Sequence, residues 1–462
     1  MKRIYINTLE EHIEKEVTIF GWIDIRRDHG KLIFLDLRDV TGKVQMVVLP
    51  NHTEAIATAS TLRNEWVVEV KGIVNKRPER MCKKGLNGNI EIEVTSINVL
   101  NESLTPPFDV TNNTKDIDEE VRLEYRYLDL RSERMKNNIL TRSIFVQTAR
   151  EYLFEQSFNE IETPLLTEST PEGSRDFVVP SRLQPGKFYA LPQSPQQYKQ
   201  LLMTAGFDKY FQTARAVRDE DLRADRGFEH TQIDLEMSFV NQEEILSIIE
   251  GMMVAIAKKL GREIREVPFP RITYKDAMEK YGDDKFDMRT KEEKEAGILA
   301  YAWVVDFPFF EKTDEGSWTF THNPFSMPKE EDLEKLMEGR DIESIRAQQY
   351  DLVCNGFEAG GGSIRAHKPE ILRATYKIMG YSDEQIDKNI GHLLKAFSHG
   401  APPHGGIALG VERGVMNMTG EDTLRDVQAF PMTRGGKTSV MNAPASLNDN
   451  QLKELGIEIR KK

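Results

Sequence analysis

Residues 210–239 read YFQTARAVRDEDLRADRGFEHTQIDLEMSF, and both ends of this stretch have the pattern of strands. Towards its end Ile233, Leu235, Met237 and Phe239 alternate with Asp234, Glu236 and Ser238, the period of a strand with one buried face. Between the strands stand Arg218, Asp219, Glu220, Asp221, Arg223, Asp225 and Arg226, seven charges in nine residues. A charge run alone is usually a solvated loop. This one follows directly on the apolar strand 211–217, so Arg218 and Glu220 are expected to project from a rigid sheet into a cleft. Arginine there offers a planar fork of donors to phosphate or carboxylate.

Upstream, residues 1–104 read as all-β. Segments 17–25, 32–38, 44–48, 66–74 and 90–94 are rich in β-branched and aromatic residues and are expected strands, with a helix over 53–62 after the third. That order suggests an OB-fold barrel, a fold whose face binds oligonucleotides. Arg26, Arg27, Asp28, His29, Phe34 and Gln45 mark the expected face, since arginine beside an exposed aromatic suits splayed single-stranded bases. Period-2 alternation leaves Phe34 open between that face and the core. Residues 105–130, rich in Pro, Asn and acid, read as a hinge.

Residues 131–462 read as one further domain. Helices are expected over 132–156, 241–260, 369–379 and 383–396, with strands at 158–163, 303–307, 349–353 and 405–409. Residues 272–298 look helical and charged, and the tail closes in a polar helix. The expected class is α+β, a barrel followed by an antiparallel sheet flanked by helices. There is no GxGxxG after a strand and no GxxxxGK[ST], so a bound nucleotide would use neither common phosphate loop.

Bulk properties narrow the classes. A net charge of −13 argues against nonspecific coating of nucleic acid but leaves room for a local basic groove. No apolar run approaches 18 residues, and the first residues lack the apolar core of a secretory signal. Cys82 and Cys354 lie far apart in no metal-binding spacing, so a cytoplasmic protein without structural zinc is expected.

Three segments together resemble one family. FNEIETP (158–164) resembles the end of the first signature motif of class II aminoacyl-tRNA synthetases (about 145–164), which closes in a proline at a dimer interface. Residues 210–239 resemble the second, with Arg218 and Glu220 at its core, and GGIALGVERGVM (405–416) the third, with Arg413 its arginine. A preceding OB domain is similar to that of the aspartate, asparagine and lysine subgroup. TPEGSRDF (170–177), YALPQSPQQYKQLLM (189–203), VRDEDLRADR (217–226), NGFEAGGGSIR (355–365) and RDVQAFP (425–431) resemble bacterial-type aspartyl-tRNA synthetases. Two features depart from that pattern. An inserted domain usual between the second and third motifs has no room here, and RGFEHTQ has Gly227 and His230 where the family commonly has glutamine and an adenine-stacking phenylalanine.

The resemblance implies a two-step reaction: aspartate and ATP give aspartyl-adenylate, and the aspartyl group then passes to tRNA. It makes Arg218, Glu220 and Arg413 catalytic, and adds Asp219, His230, Glu358, Gly410, Val411 and Glu412 as ATP contacts. For L-aspartate it implies Glu172, Gln196, Lys199, Arg218, Asp234, His322 and Arg365, with Lys199 favouring aspartate over asparagine. Asp351 and Glu358 would hold Mg²⁺, and Gly360, Gly361 and Gly362 would let the backbone approach the substrate. Arg27, His29, Phe34 and Gln45 match anticodon contacts. Histidine at position 29 resembles relaxed members that charge tRNA-Asn as well as tRNA-Asp and work with an amidotransferase. A homodimer is also implied. The competing expectations are an asparaginyl or lysyl enzyme, an ammonia-dependent asparagine synthetase, and a non-catalytic RNA-binding paralogue.

Overall fold

In the computed structural model, which describes residues 3–111, 113–169 and 174–460, the chain forms two compact units. One comprises Met1–Asp118 with Tyr127–Glu133, the other Glu119–Arg126 with Arg134–Lys462. The stretch read as a hinge is therefore shared between them and carries short helices at Glu119–Glu124 and Arg126–Asp129. Within it Asp129 is buried and accepts from the Thr114 hydroxyl at 2.5 Å.

The first unit is a closed barrel of β1 (Glu16–Asp28), β2 (Ile33–Arg38), β3 (Lys43–Val48), β4 (Val67–Lys76) and β5 (Ile90–Asn101), in the order β1-β2-β3-β5-β4. Helix α1 (Thr53–Thr61) follows β3 as expected. Period-2 burial builds it: Ile33, Leu35 and Leu37 enter the core, while Phe34 and Asp36 turn outward. β1 runs through Arg27 to Asp28 and sets Arg27 opposite Phe34.

The second unit holds an eight-stranded sheet. Its strands in chain order are β6 (Asn159–Glu160), β7 (Lys209–Val217), β8 (Glu229–Ser238), β9 (Arg271–Thr273), β10 (Tyr301–Val305), β11 (Gln349–Cys354), β12 (Phe357–Ile364) and β13 (His404–Gly410). In space they run β9-β10-β11-β12-β13-β8-β7-β6, antiparallel except for the two outermost pairs. α2 (Glu133–Glu155), α3 (Gln196–Thr204), α4 (Gln242–Lys259) and α5 (Val411–Thr419) pack around it. Phe145, Ala149 and Leu153 of α2 share the core with Ile233, Leu235 and Met237 of β8. Among the described residues no helix is long and apolar enough to cross a membrane.

Three differences from the sequence reading concern the site. The strand expected over 158–163 pairs only at Asn159 and Glu160, with Ile161 donating to Phe211 O before Pro164 ends it. The charged segment 272–298 is helical only at Tyr274–Tyr281 and Lys291–Glu295. β12, FEAGGGSI, was not anticipated, because glycine is depleted in strands. Here crowding demands it. A Cβ on Gly360 or Gly362 would press on the backbone of β13, and one on Gly361 on the Asp351 carboxylate. Gly362→Ala should cost about 1–3 kcal/mol, the scale of overpacking, measured as a lower urea midpoint at unchanged slope; an unchanged midpoint would contradict this role.

Candidate active site

β7, β8, β11, β12 and β13 present one cavity of about 350 Å³. Gln196, Lys199, Arg218, Glu220, His230, Asp234, His322, Asp351, Glu358, Arg365, Gly410, Glu412 and Arg413 line it. Thirteen predicted residues, drawn from distant stretches of sequence, thus meet around one space. Asp219 and Val411 are not among the lining: Asp219 pairs with Arg175 at 3.2 Å, and Val411 is wholly buried in the core. Glu172 lies outside the described residues.

The floor is ionic. β8 was expected to bury one face, yet Asp234 and Glu236 are as buried as Ile233 and Leu235. Burying carboxylates requires partners, and α3 and the residue just past the end of β12 supply them. Lys199 Nζ lies 2.6 Å from Asp234 and 3.3 Å from Glu236, and Arg365 grips both Glu236 oxygens at 2.9 and 3.2 Å. Burial would raise the Glu236 pKa, but Arg365 and Lys199 outweigh it and hold the carboxyl below its ordinary range. At Asp234 burial wins over Lys199, and the pKa is raised. Asp234 Oδ2 is buried with no hydrogen-bond partner among the described residues. Glu236 was not singled out in the sequence, although its i+2 spacing from Asp234 places both on one face.

Two arginines mark the other end. Arg218 uses Nε on Gln193 O at 3.2 Å and makes no ion pair among the described residues, leaving its terminal nitrogens to the cavity. Arg413 is held by Asp225 at 3.1 Å and by Glu358 O at 3.0 Å. Glu220 accepts from the Ser174 hydroxyl at 2.5 Å. Glu412 faces the cavity, but its carboxylate is taken by Thr231 N–H, Arg142 and Gln428, so it braces β8 against α2. His230 sits where burial first, then Arg218, lower its pKa to about 4, leaving the imidazole neutral.

Carboxylates gather beside this end. Asp284, His322 and Asp351 bring ligating atoms within 4.8 Å of one another, and Lys285 Nζ lies 3.5 Å from Glu358. Burial pushes Asp351 up to about 6, against the effect of His322. Asp284 and Lys285 were hidden in the charged stretch read as mere helix. Asp284 and Asp351 give that group two hard oxygen donors of the kind Mg²⁺ takes, while Glu358 stands outside it, paired with Lys285.

The first unit carries the other candidates. Arg27 grips both oxygens of Asp36 at 2.8 Å, and His29 meets Phe34 edge-on at 5.5 Å. Gln45, opposite Asp36, reaches Glu91 at 3.4 Å and accepts from Lys83 at 3.3 Å. The four predicted residues share one outer face of the barrel.

Comparison with known proteins gives this arrangement its context. Residues 118–434 match the family of class II tRNA synthetases (D, K and N), and residues 17–100 the OB-fold nucleic acid binding domain. An aspartate–tRNA(Asp/Asn) ligase of Rubrobacter xylanophilus is 39% identical over 97% of this chain and 95% of its own. An aspartate–tRNA ligase of Staphylococcus saprophyticus is 38% identical over 98% of each. The first alignment spans 573 positions against 462 residues here, so over a hundred positions have no counterpart in this chain. Asparaginyl-tRNA synthetase from Pyrococcus horikoshii, complexed with asparaginyl-adenylate, superposes with a TM-score of 0.75 at 23% identity, covering 94% of this chain and 98% of that one. At that identity the likeness is one of fold.

The His230 environment has a measurable consequence. Its imidazole should stay neutral down to about pH 4, well below the ordinary value of about 6.5. Because the folded pKa is depressed, the associated stability is present above pH 6.5 and is lost as pH falls towards 4. An NMR titration of the ring giving an apparent pKa near 6.5 would contradict the geometry, and His230→Phe should flatten the stability profile over this range.

Proposed function

The chain belongs to the class II tRNA synthetases of the D, K and N group, and we propose that within it the chain is an aspartate–tRNA ligase. The single observation that carries the amino-acid assignment is the ionic floor. Asp234 Oδ2, without a hydrogen-bond partner among the described residues, suits an α-ammonium, while Lys199 and Arg365, locked by Glu236, keep remaining donors for a side-chain carboxylate. Gln196 and Glu172 would complete the ammonium contacts, and His322 would cover the substrate.

In the first step the aspartate α-carboxylate attacks the α-phosphorus of ATP. A P–O bond forms, the bridging P–O bond to the β-phosphate breaks, and pyrophosphate leaves. Arg218, whose terminal nitrogens make no hydrogen bond among the described residues, would hold the α-phosphate and offset charge growing there. Arg413 would hold the γ-phosphate, fixed in place by Asp225. Glu220 would accept from the adenine amino group, and His230, neutral, would stack on the ring. Asp351 and Glu358, with Asp284 beside them, would hold Mg²⁺, whose chemistry is neutralising phosphate oxygens. Gly360, Gly361 and Gly362 let the substrate lie on backbone. In the second step a terminal ribose hydroxyl of tRNA attacks the activated carbonyl, and AMP leaves.

The barrel face with Arg27, His29, Phe34 and Gln45 would read the anticodon. A relaxed choice that includes tRNA-Asn, with an amidotransferase downstream, rests on His29; the Rubrobacter xylanophilus relative bears the Asp/Asn name and the Staphylococcus saprophyticus one does not. The cytoplasm and a homodimer complete the reading. Phe154, Leu165 and Leu166, exposed around the first motif, would be covered in such a dimer.

Two experiments decide the main points. ATP–pyrophosphate exchange should run with aspartate and not with asparagine or lysine; exchange with asparagine instead would overturn the assignment. Arg218→Ala should lower exchange about 100-fold or more with an unchanged unfolding transition. With purified transcripts, tRNA-Asp and tRNA-Asn should both be charged, and His29→Leu should depress the second by about tenfold, the scale of one base contact. Negligible charging of tRNA-Asn by the natural chain would remove the relaxed reading.

A further inference from the structure

Behind the catalytic cavity lies a second one of about 340 Å³, nearly equal in volume to the space that must hold an adenylate. Arg226, Gly227 and Leu424 line both and form the wall between them. Alternation along the strands sets the rest of its lining on the opposite face of the sheet. Arg215 and Thr231 are cross-strand partners, whereas Gln232 and Asp234 turn into the catalytic cavity.

The lining is cationic. Four arginines stand in it, Arg142, Arg215, Arg226 and Arg425, with one carboxylate, Glu229, which pairs with Arg215; Arg226 and Arg425 also pair with Glu220 and Glu119 outside the lining. Arg142 is the most telling of them. Its Nη2 is spent on Thr231 and Glu412 at 2.9 and 2.8 Å, while Nη1 is buried with no partner among the described residues. A buried guanidinium donor left unpaired is a place for an acceptor. Phe430, 63% exposed, adds an aromatic face to the same lining.

We propose that this second cavity binds a polyphosphate chain, borne either by pyrophosphate or by a nucleotide. Several guanidinium forks suit an anion with many oxygens better than a single carboxylate. A concave space of about 340 Å³ is of the size that takes a small molecule. Through the shared Arg226–Gly227 wall, such a ligand would adjoin the loop on which Arg218 and Glu220 are mounted, and its occupancy would be felt in the first step. The site stands apart from the amino acid assigned above, and the test separates the two.

The full chain would carry Arg413→Ala, removing the pyrophosphate position that an adenylate leaves open, and be saturated with a non-hydrolysable aspartyl-adenylate analogue, which occupies the rest of the catalytic cavity and itself tests the aspartate reading. Pyrophosphate or ADP would then be titrated by equilibrium dialysis. One further equivalent per chain is expected, weakened at least tenfold by Arg215→Ala with analogue binding unchanged. Phe430→Ala should weaken ADP and leave pyrophosphate unchanged if a nucleotide is the natural ligand; tighter pyrophosphate binding, indifferent to Phe430, assigns the site to that product. Both residues are exposed, so neither substitution threatens the core. Absence of a further equivalent, or one that ignores Arg215→Ala, overturns the proposal. Should Arg215→Ala instead raise only the KM for tRNA, with no further equivalent in the wild-type chain, the cavity serves tRNA and the proposal falls.

Discussion

Everything at the catalytic end of the sheet depends on keeping Glu236 charged where no water reaches it. A carboxylate in that position is tolerable only because Arg365, just past the end of β12, and Lys199 of α3 close on it. Such clusters add little net stability, since desolvation consumes most of the Coulombic gain, but breaking one by removing a partner costs about 3–5 kcal/mol. The cluster therefore acts less as glue than as a jig. It fixes the direction of two cations and leaves Asp234 Oδ2 with no hydrogen-bond partner among the described residues.

The glycine strand answers the same constraint from the other side. A cavity floor built of side chains would fill the space that substrate needs, so β12 crosses it as backbone. Gly360 and Gly362 permit close approach to β13, and Gly361 leaves room for Asp351. Tight strand spacing and an open floor are then one feature, and a methyl group at these points disturbs both. The arginines divide similarly. Arg413, tied to Asp225 and Glu358, cannot wander, while Arg218 is anchored only through Nε and keeps its terminal nitrogens for ligand.

Legibility in the sequence followed the physics of each element. The barrel was readable because its strands alternate; β1 extended into the polar Arg26–Asp28, and β5 ran seven residues past its expected end to Asn101. The charged hairpin was readable because Arg218 and Glu220 follow an apolar strand, and the structure does aim both into a cavity. Glu236, Asp284 and Lys285 were not, since an acid or lysine in a charged or alternating run looks solvated until its distant partner is known. β12 was missed for a related reason: its glycines are explained by β13 and Asp351, which local propensity cannot see. Glu412 shows the converse. It stands in a recognisable motif at the cavity, yet Thr231, Arg142 and Gln428 occupy its oxygens.

The short path between the second and third motifs also has a structural use. From Arg271–Thr273 the chain passes through two short helices to Tyr301–Val305 without an intervening domain. The relatives' alignment leaves over a hundred positions unmatched, yet this chain covers 98% of the Pyrococcus horikoshii structure of the same fold. What remains in that path is not a bare connection. Phe286 and Tyr281 stack at 4.2 Å within a small core of their own, and this packing carries Asp284 to His322 and Lys285 to Glu358. A loop trimmed to such a length still has to order itself, at roughly 1–2 kcal/mol of backbone entropy per residue. The stacked rings supply local burial that offsets this cost, which is why the path can deliver charged groups to the cavity rim with no added domain to brace it.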